Sequence, residues 1–157
     1  MTVPTDAAKR SARSPADLAR VALFSRGARR LWALLMALLV GVVLLQALAP
    51  HPRGPSLGWD KANHVAAFAS LAFCGLLALR ERPRHLFWIG FSLLALGAGI
   101  EIAQAYVPGR SADALDIVAD AVGIALGAGA GSQLARSLER RRVRAARWSP
   151  GTAPPGR

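Results

Sequence analysis

One cysteine, one tyrosine and nine acidic residues are spread over 157 positions. The lone Cys74 lies inside an apolar run. Neither a disulfide framework nor a Cys-based zinc site can be built from it, and a small buried hydrophobe is its expected role. Charged residues make up only 18% of the chain and hydrophobic ones 53%, with the charges gathered in blocks. A soluble helix or strand must show water a polar face; long stretches here have none. Two common catalytic patterns, HExxH and the phosphate loop, are also missing. The net charge of +11 would fit nucleic-acid binding if the Lys and Arg covered a folded surface. They instead flank apolar runs, as membrane insertion requires, so no nucleic-acid partner is expected.

What is present is four apolar runs with short polar connections. Leu31 to Ala49 is nineteen residues without a charge, enough for the roughly 20 residues of a membrane helix. Ala47-Leu48-Ala49 imitates a signal-peptide cleavage site, but a signal peptide's apolar core runs only about 7–15 residues, and Pro50 would hinder the cut. Pro50, Pro52, Gly54, Pro55 and Gly58 then form a loop, closed by Asp60 as an N-cap. The remaining helices are expected over about 62–79, 85–106 and 114–135. Arg80-Glu81-Arg82-Pro83-Arg84 and Pro108-Gly109 mark the turns between them. Residues 1–30 read as a basic tail, flexible or with Asp17 to Leu31 as an interfacial helix. Residues 136–157 read as a second basic tail, whose Pro- and Gly-rich end has a disordered composition.

The expected fold class is therefore all-α, a polytopic bundle of four transmembrane helices. Lys and Arg accumulate on the cytoplasmic side. Seventeen of the 20 lie before Leu31, between the second and third helices, or from Arg136 onward, whereas Arg53, Lys61 and Arg110 lie in the other two loops. Both termini are expected in the cytoplasm, with the chain multi-pass in the membrane.

With that topology the intramembrane polar residues converge near the outer face. Helix two starts there with Asp60, Lys61 and His64, helix three ends there with Glu101 and Gln104, and helix four starts there with Asp113, Asp116 and Asp120. Spacings of three and four put Asp60 with His64, Glu101 with Gln104, and Asp116 with Asp120 on single helix faces. Glu101 stands ~22 Å above Leu86 at 1.5 Å per residue, below the boundary of a hydrocarbon core about 30 Å thick. A charge in such a position costs about 2.5–3.5 kcal/mol, which favours pairing or function for Glu101 and Asp120. Asp60, Asp113 and Asp116 serve equally well as helix caps. The small-residue stripes of Gly90 and Gly97, and of Gly123, Gly127 and Gly131, are expected to pack these faces against other helices.

Asp60-Lys61 followed by His64, then Glu101 and Gln104, then Pro108-Gly109-Arg110, Asp113, Asp116 and Gly123 resemble the VanZ-like membrane proteins over residues 59 to 128. The resemblance implies a small bacterial membrane protein of a family associated with resistance to teicoplanin-type glycopeptide antibiotics. Asp120 stands where similar members carry Asn.

Two functions are weighed. One is a non-enzymatic envelope protein binding a lipid-linked cell-wall precursor or a lipid head group, with Arg110 forking onto an anionic phosphate or carboxylate. The other is a membrane enzyme acting on such a lipid, with His64 as base or metal ligand, Glu101 as acid/base, and Asp116 and Asp120 as further carboxylates. His with several carboxylates suits a divalent cation. Membrane lipids are the expected partners, and the sequence leaves cofactor and homo-oligomerisation open.

Overall fold

The computed structural model describes residues 15–50, 59–79 and 83–147. The expected loop over 51–58, Arg80 to Arg82 of the charged turn, and the two chain ends at 1–14 and 148–157 lie outside the described residues. The described residues form helices and no strand: α1 Pro15–Phe24, α2 Arg26–Leu48, α3 Asp60–Leu79, α4 Pro83–Gln104 and α5 Ala114–Arg147. The last four are long and apolar enough to cross a membrane. The chain is an all-α, multi-pass membrane protein.

Three boundaries differ from the sequence expectation, each for a local reason. The region before Leu31 is helical from Pro15, not a flexible tail. Ser25 ends α1 and caps α2, its Oγ accepting from the Ala28 amide at 3.2 Å. Trp32 Nε1 donates back to the Leu23 carbonyl, and Arg20 pairs with Glu139 of α5 at 3.0 Å. The second difference is α5, which continues to Arg147. No Pro or Gly lies between Gly131 and Pro150, and Ala, Leu, Glu and Arg all propagate a helix well. At 34 residues it is roughly 51 Å long and overshoots a bilayer core of about 30 Å. Third, α3 is capped by Trp59, whose carbonyl accepts from Ala62 and Asn63, so Asp60 is the first helical residue and its carboxylate is free of capping duty. Pro83 opens α4, the position where a missing N–H is harmless.

Contacts fix the helix directions. Arg29 Nε donates to the Ala78 carbonyl at 2.7 Å, so α2 begins where α3 ends. Gln104 Nε2 donates to the Ala47 carbonyl at 3.1 Å, so α2 and α4 end together. Gly123 and Gly127 lie against the backbones of Val65 and Ala69; equal steps on both helices make α3 and α5 parallel neighbours. One end of the bundle therefore holds the finish of α2 and α4 and the start of α3 and α5.

α3 is the central helix, with Phe68, Leu71, Ala72, Cys74, Leu76 and Leu77 buried. Ile89, Leu93 and Ile100 of α4 and Ile124 of α5 complete the core, and Met36, Leu39, Val40, Val43 and Leu44 of α2 pack on it half-buried. The other face of α2 exposes Leu31, Leu34, Leu38, Val42 and Leu45, while α5 exposes Leu115, Val118, Val122 and Leu126. Apolar faces of this extent would be a liability in water. Against lipid tails they are the expected surface, and packing rather than apolar burial then holds the helices together.

Candidate functional site

Polar side chains gather where α3 and α5 begin. Asp113 caps α5, accepting the Leu115 amide on Oδ1 at 2.9 Å while its own carbonyl accepts from Asp116. Lys61, in the first turn of α3, reaches across to Asp113 Oδ2 at 2.5 Å and Asp116 Oδ1 at 3.1 Å. The Lys61 ammonium holds the Asp113 carboxyl below its ordinary value, helped by the Leu115 amide. One turn deeper, His64 Nδ1 lies 2.8 Å from Asp120 Oδ1 and its Nε2 lies 3.8 Å from Asp116 Oδ2. With Asp120 ionised and the imidazole neutral, Nδ1 carries the proton and Nε2 presents its lone pair. The imidazole is stacked 4° from parallel with the Phe68 ring, which holds its plane.

α4 closes the site from the other side. Asp120 Oδ2 lies in the space that a Cβ on Gly97 would take, so glycine is what lets the carboxylate fit between α5 and α4. Because α4 runs antiparallel to α5, Glu101, one turn beyond Gly97, stands at the level of Asp116, one turn before Asp120. Glu101 Oε2 accepts the Asp113 amide at 2.7 Å. Burial is nearly complete, at 0% exposed for Asp120, 3% for Asp116 and 5% for Glu101. Glu101 Oε1 and Asp120 Oδ2 are buried with no hydrogen-bond partner.

The family described as VanZ/LLP1 matches residues 31–135. The chain belongs to this family. No curated protein and no solved structure matches it. The matched segment of this VanZ-like chain runs from the apolar part of α2 to the middle of α5, and so encloses the whole polar cluster.

Not all nine residues singled out from the sequence join one network. Lys61, His64, Glu101, Asp113, Asp116 and Asp120 do, and Asp60 lies close to His64 and Asp116 without a bond to either. Gln104 and Arg110 sit beside it and serve α2. Arg110 Nη2 donates to the Gln46 carbonyl at 2.7 Å and Nε to the Ala49 carbonyl at 3.3 Å, and Gln104 takes the Ala47 carbonyl. These are carbonyls that a helix end leaves without partners, and Arg110 neutralises the negative end of the helix dipole. Two of its N–H groups are thus committed to backbone, which ties down the guanidinium that the sequence offered as a grip for an anion. Gly109, at φ +81°, lets the chain turn to deliver it.

The glycine stripes divide as well. Gly123, Gly127 and Gly131 of the VanZ-like bundle sit directly on α3, against Val65, Ala69 and Leu76. Gly90 has open space around it, so its place in the stripe serves no close approach. Gly75 does, facing Met36 of α2, and was not among the glycines singled out from the sequence. Arg29, which caps the end of α3, read in the sequence as part of a basic tail. GxSxG was expected to be absent, yet Gly54-Pro55-Ser56-Leu57-Gly58 spells it; that motif needs a strand-to-helix turn, and here it precedes α3 in a segment outside the described residues.

Chemically the cluster has an excess of acceptors. Five carboxylates and the imidazole face one ammonium, so the arrangement can hold protons, hydrogen-bond donors or a cation.

Proposed function

We propose that this VanZ-like protein sits in the bacterial inner membrane with both termini cytoplasmic, and that the site at the opposite end of the bundle binds the head group of a lipid-linked, cell-wall-related ligand. Binding there would influence susceptibility to glycopeptide antibiotics. The observation that carries this reading is the buried network of Lys61, His64, Asp116, Asp120 and Glu101, with carboxylate oxygens left without partners. Such groups are expensive at membrane depth and are retained where they meet a ligand, ion or proton path. The acceptor excess favours a ligand rich in hydroxyl, amide or amino donors, as sugar- and peptide-bearing lipids are. The 17 to 3 division of Lys and Arg supports the orientation.

A second reading has its own observation. The Asp120–His64 pair at 2.8 Å leaves Nε2 facing the carboxylates, which is how a general base is oriented. On that reading the protein is an enzyme acting on the lipid, with His64 as base and Glu101 as acid.

The test is lipid mass spectrometry of the protein extracted in native membrane discs, beside the Asp116→Asn variant and a deletion strain. Enrichment of one head-group class with the wild type alone supports binding. An altered lipid pool in the deletion strain, with product formed by purified protein, supports the enzyme. Identical lipid profiles for wild type and variant would sink the binding reading.

A further inference from the structure

We propose that Asp60, His64 and Asp116 form a binding site for one divalent cation, with Asp120 as the group that orients the histidine. One ligand atom from each of the three residues can be chosen so that all lie within 4.8 Å of one another. The distance between His64 Nε2 and Asp116 Oδ2, 3.8 Å, is too long for a hydrogen bond. It suits two ligands of a shared ion, since bonds of about 2.0–2.2 Å put neighbouring ligands roughly 3–4 Å apart. Asp116 can serve here because its other oxygen, Oδ1, takes Lys61.

Two further observations point the same way. His64 Nδ1 is held by Asp120, so Nε2 is turned to the carboxylates, the carboxylate–histidine–metal arrangement in which the outer carboxylate fixes the tautomer. Asp120 spends Oδ1 on His64 Nδ1 and is not one of the three residues whose ligand atoms converge, which suits a supporting role. Independently, Glu101 is 5% exposed, stands at the level of Asp116, and has Oε1 without a partner. A buried carboxylate oxygen with no donor is stabilised by a nearby cation, directly or through a bound water. Asp60 is exposed at the start of α3, which gives an ion its path in.

The donor set is one imidazole and two carboxylates, with Glu101 in reserve. It lacks sulfur and contains mostly oxygen, which favours Mn²⁺ or Zn²⁺ over Cu⁺. An ion here would offset the acceptor excess and let the site hold a phosphate-bearing head group, which the carboxylates alone would repel. The proposal rests on the same site as the ligand reading, and the experiment separates them.

Protein purified in detergent, stripped with EDTA and passed over a desalting column, is titrated with Mn²⁺ and followed by electron paramagnetic resonance. One bound Mn²⁺ per chain is expected, with nitrogen modulation from imidazole in the pulsed spectrum. His64→Gln abolishes the nitrogen signal, and Asp60→Asn, at an exposed position that does not threaten folding, weakens binding at least tenfold. Asp120→Asn, whose amide oxygen still accepts from His64 Nδ1, weakens it less than tenfold, below the roughly 10–100-fold typical of losing an outer partner. Glu139→Gln, at the far end of α5, leaves it unchanged. Absence of bound Mn²⁺ in folded wild type, or binding as tight as wild type in both Asp60→Asn and His64→Gln, overturns the proposal. Bound Mn²⁺ with no enriched lipid in native discs leaves the ion site standing and removes the ligand reading; enriched lipid without Mn²⁺ binding removes the ion site alone.

Discussion

Gly123→Ala is the smallest change that should disturb both the fold and the site. An added Cβ would lie 2.5 Å from the Val65 carbonyl oxygen and 3.1 Å from the Ala69 nitrogen. Both are backbone atoms of α3 and cannot swing away. Reaching van der Waals contact needs the helices to part by about 0.9 Å. Overpacking of this kind costs about 1–3 kcal/mol. The same parting would stretch the bond between His64 and Asp120, now 2.8 Å, past the range of a hydrogen bond. Gly129→Ala is the matched control, on the same helix with nothing within 4 Å. It should be neutral or gain up to about 1 kcal/mol from helix propensity. Thermal unfolding in detergent, followed by near-ultraviolet circular dichroism, gives the comparison. If Gly123→Ala melts together with Gly129→Ala and the wild type, the close α3–α5 approach is refuted, and with it the reason these helices bring Lys61 and His64 to the carboxylates of α5.

Arg110→Ala should destabilise the protein by about 1.5–3 kcal/mol, the range for hydrogen bonds to charged groups, and lower its amount in the membrane; an unchanged melting temperature would restore a ligand-binding role for this guanidinium. Asp120→Asn should keep activity, in any assay with a deletion phenotype, because an amide oxygen still accepts the proton of His64 Nδ1; Asp120→Leu should lose it. Loss in Asp120→Asn at equal expression would show that the negative charge itself is needed. Reporter fusions after Leu57 and Gly109 should report the outer compartment and fusions after Glu81 and Arg147 the cytoplasm, and a cytoplasmic signal at Gly109 would invert the orientation.

The sequence by itself determined the fold class and the level of the site. Runs such as Leu31 to Ala49 cannot be anything but membrane helices, because lipid forces the backbone to satisfy itself within each segment. Once there are four spans, chain direction alone sends Asp60, Glu101 and Asp116 to one end. Periodicity also put Gly123, Gly127 and Gly131 on the face of Asp120, and they do meet α3. What tertiary structure decided is which partner each polar group takes. Arg110 and Glu101 are alike in the sequence, charged residues near a helix end. One is turned to the α2 carbonyls and the other to the amide of Asp113. That choice depends on the rotation and register of helices far apart in the chain, which packing sets and no local pattern records. The ends of α1 and α5 were illegible for a related reason: Arg and Lys propagate a helix as readily as they solvate a tail, and only a contact such as Arg20 with Glu139 shows which of the two a basic segment has become.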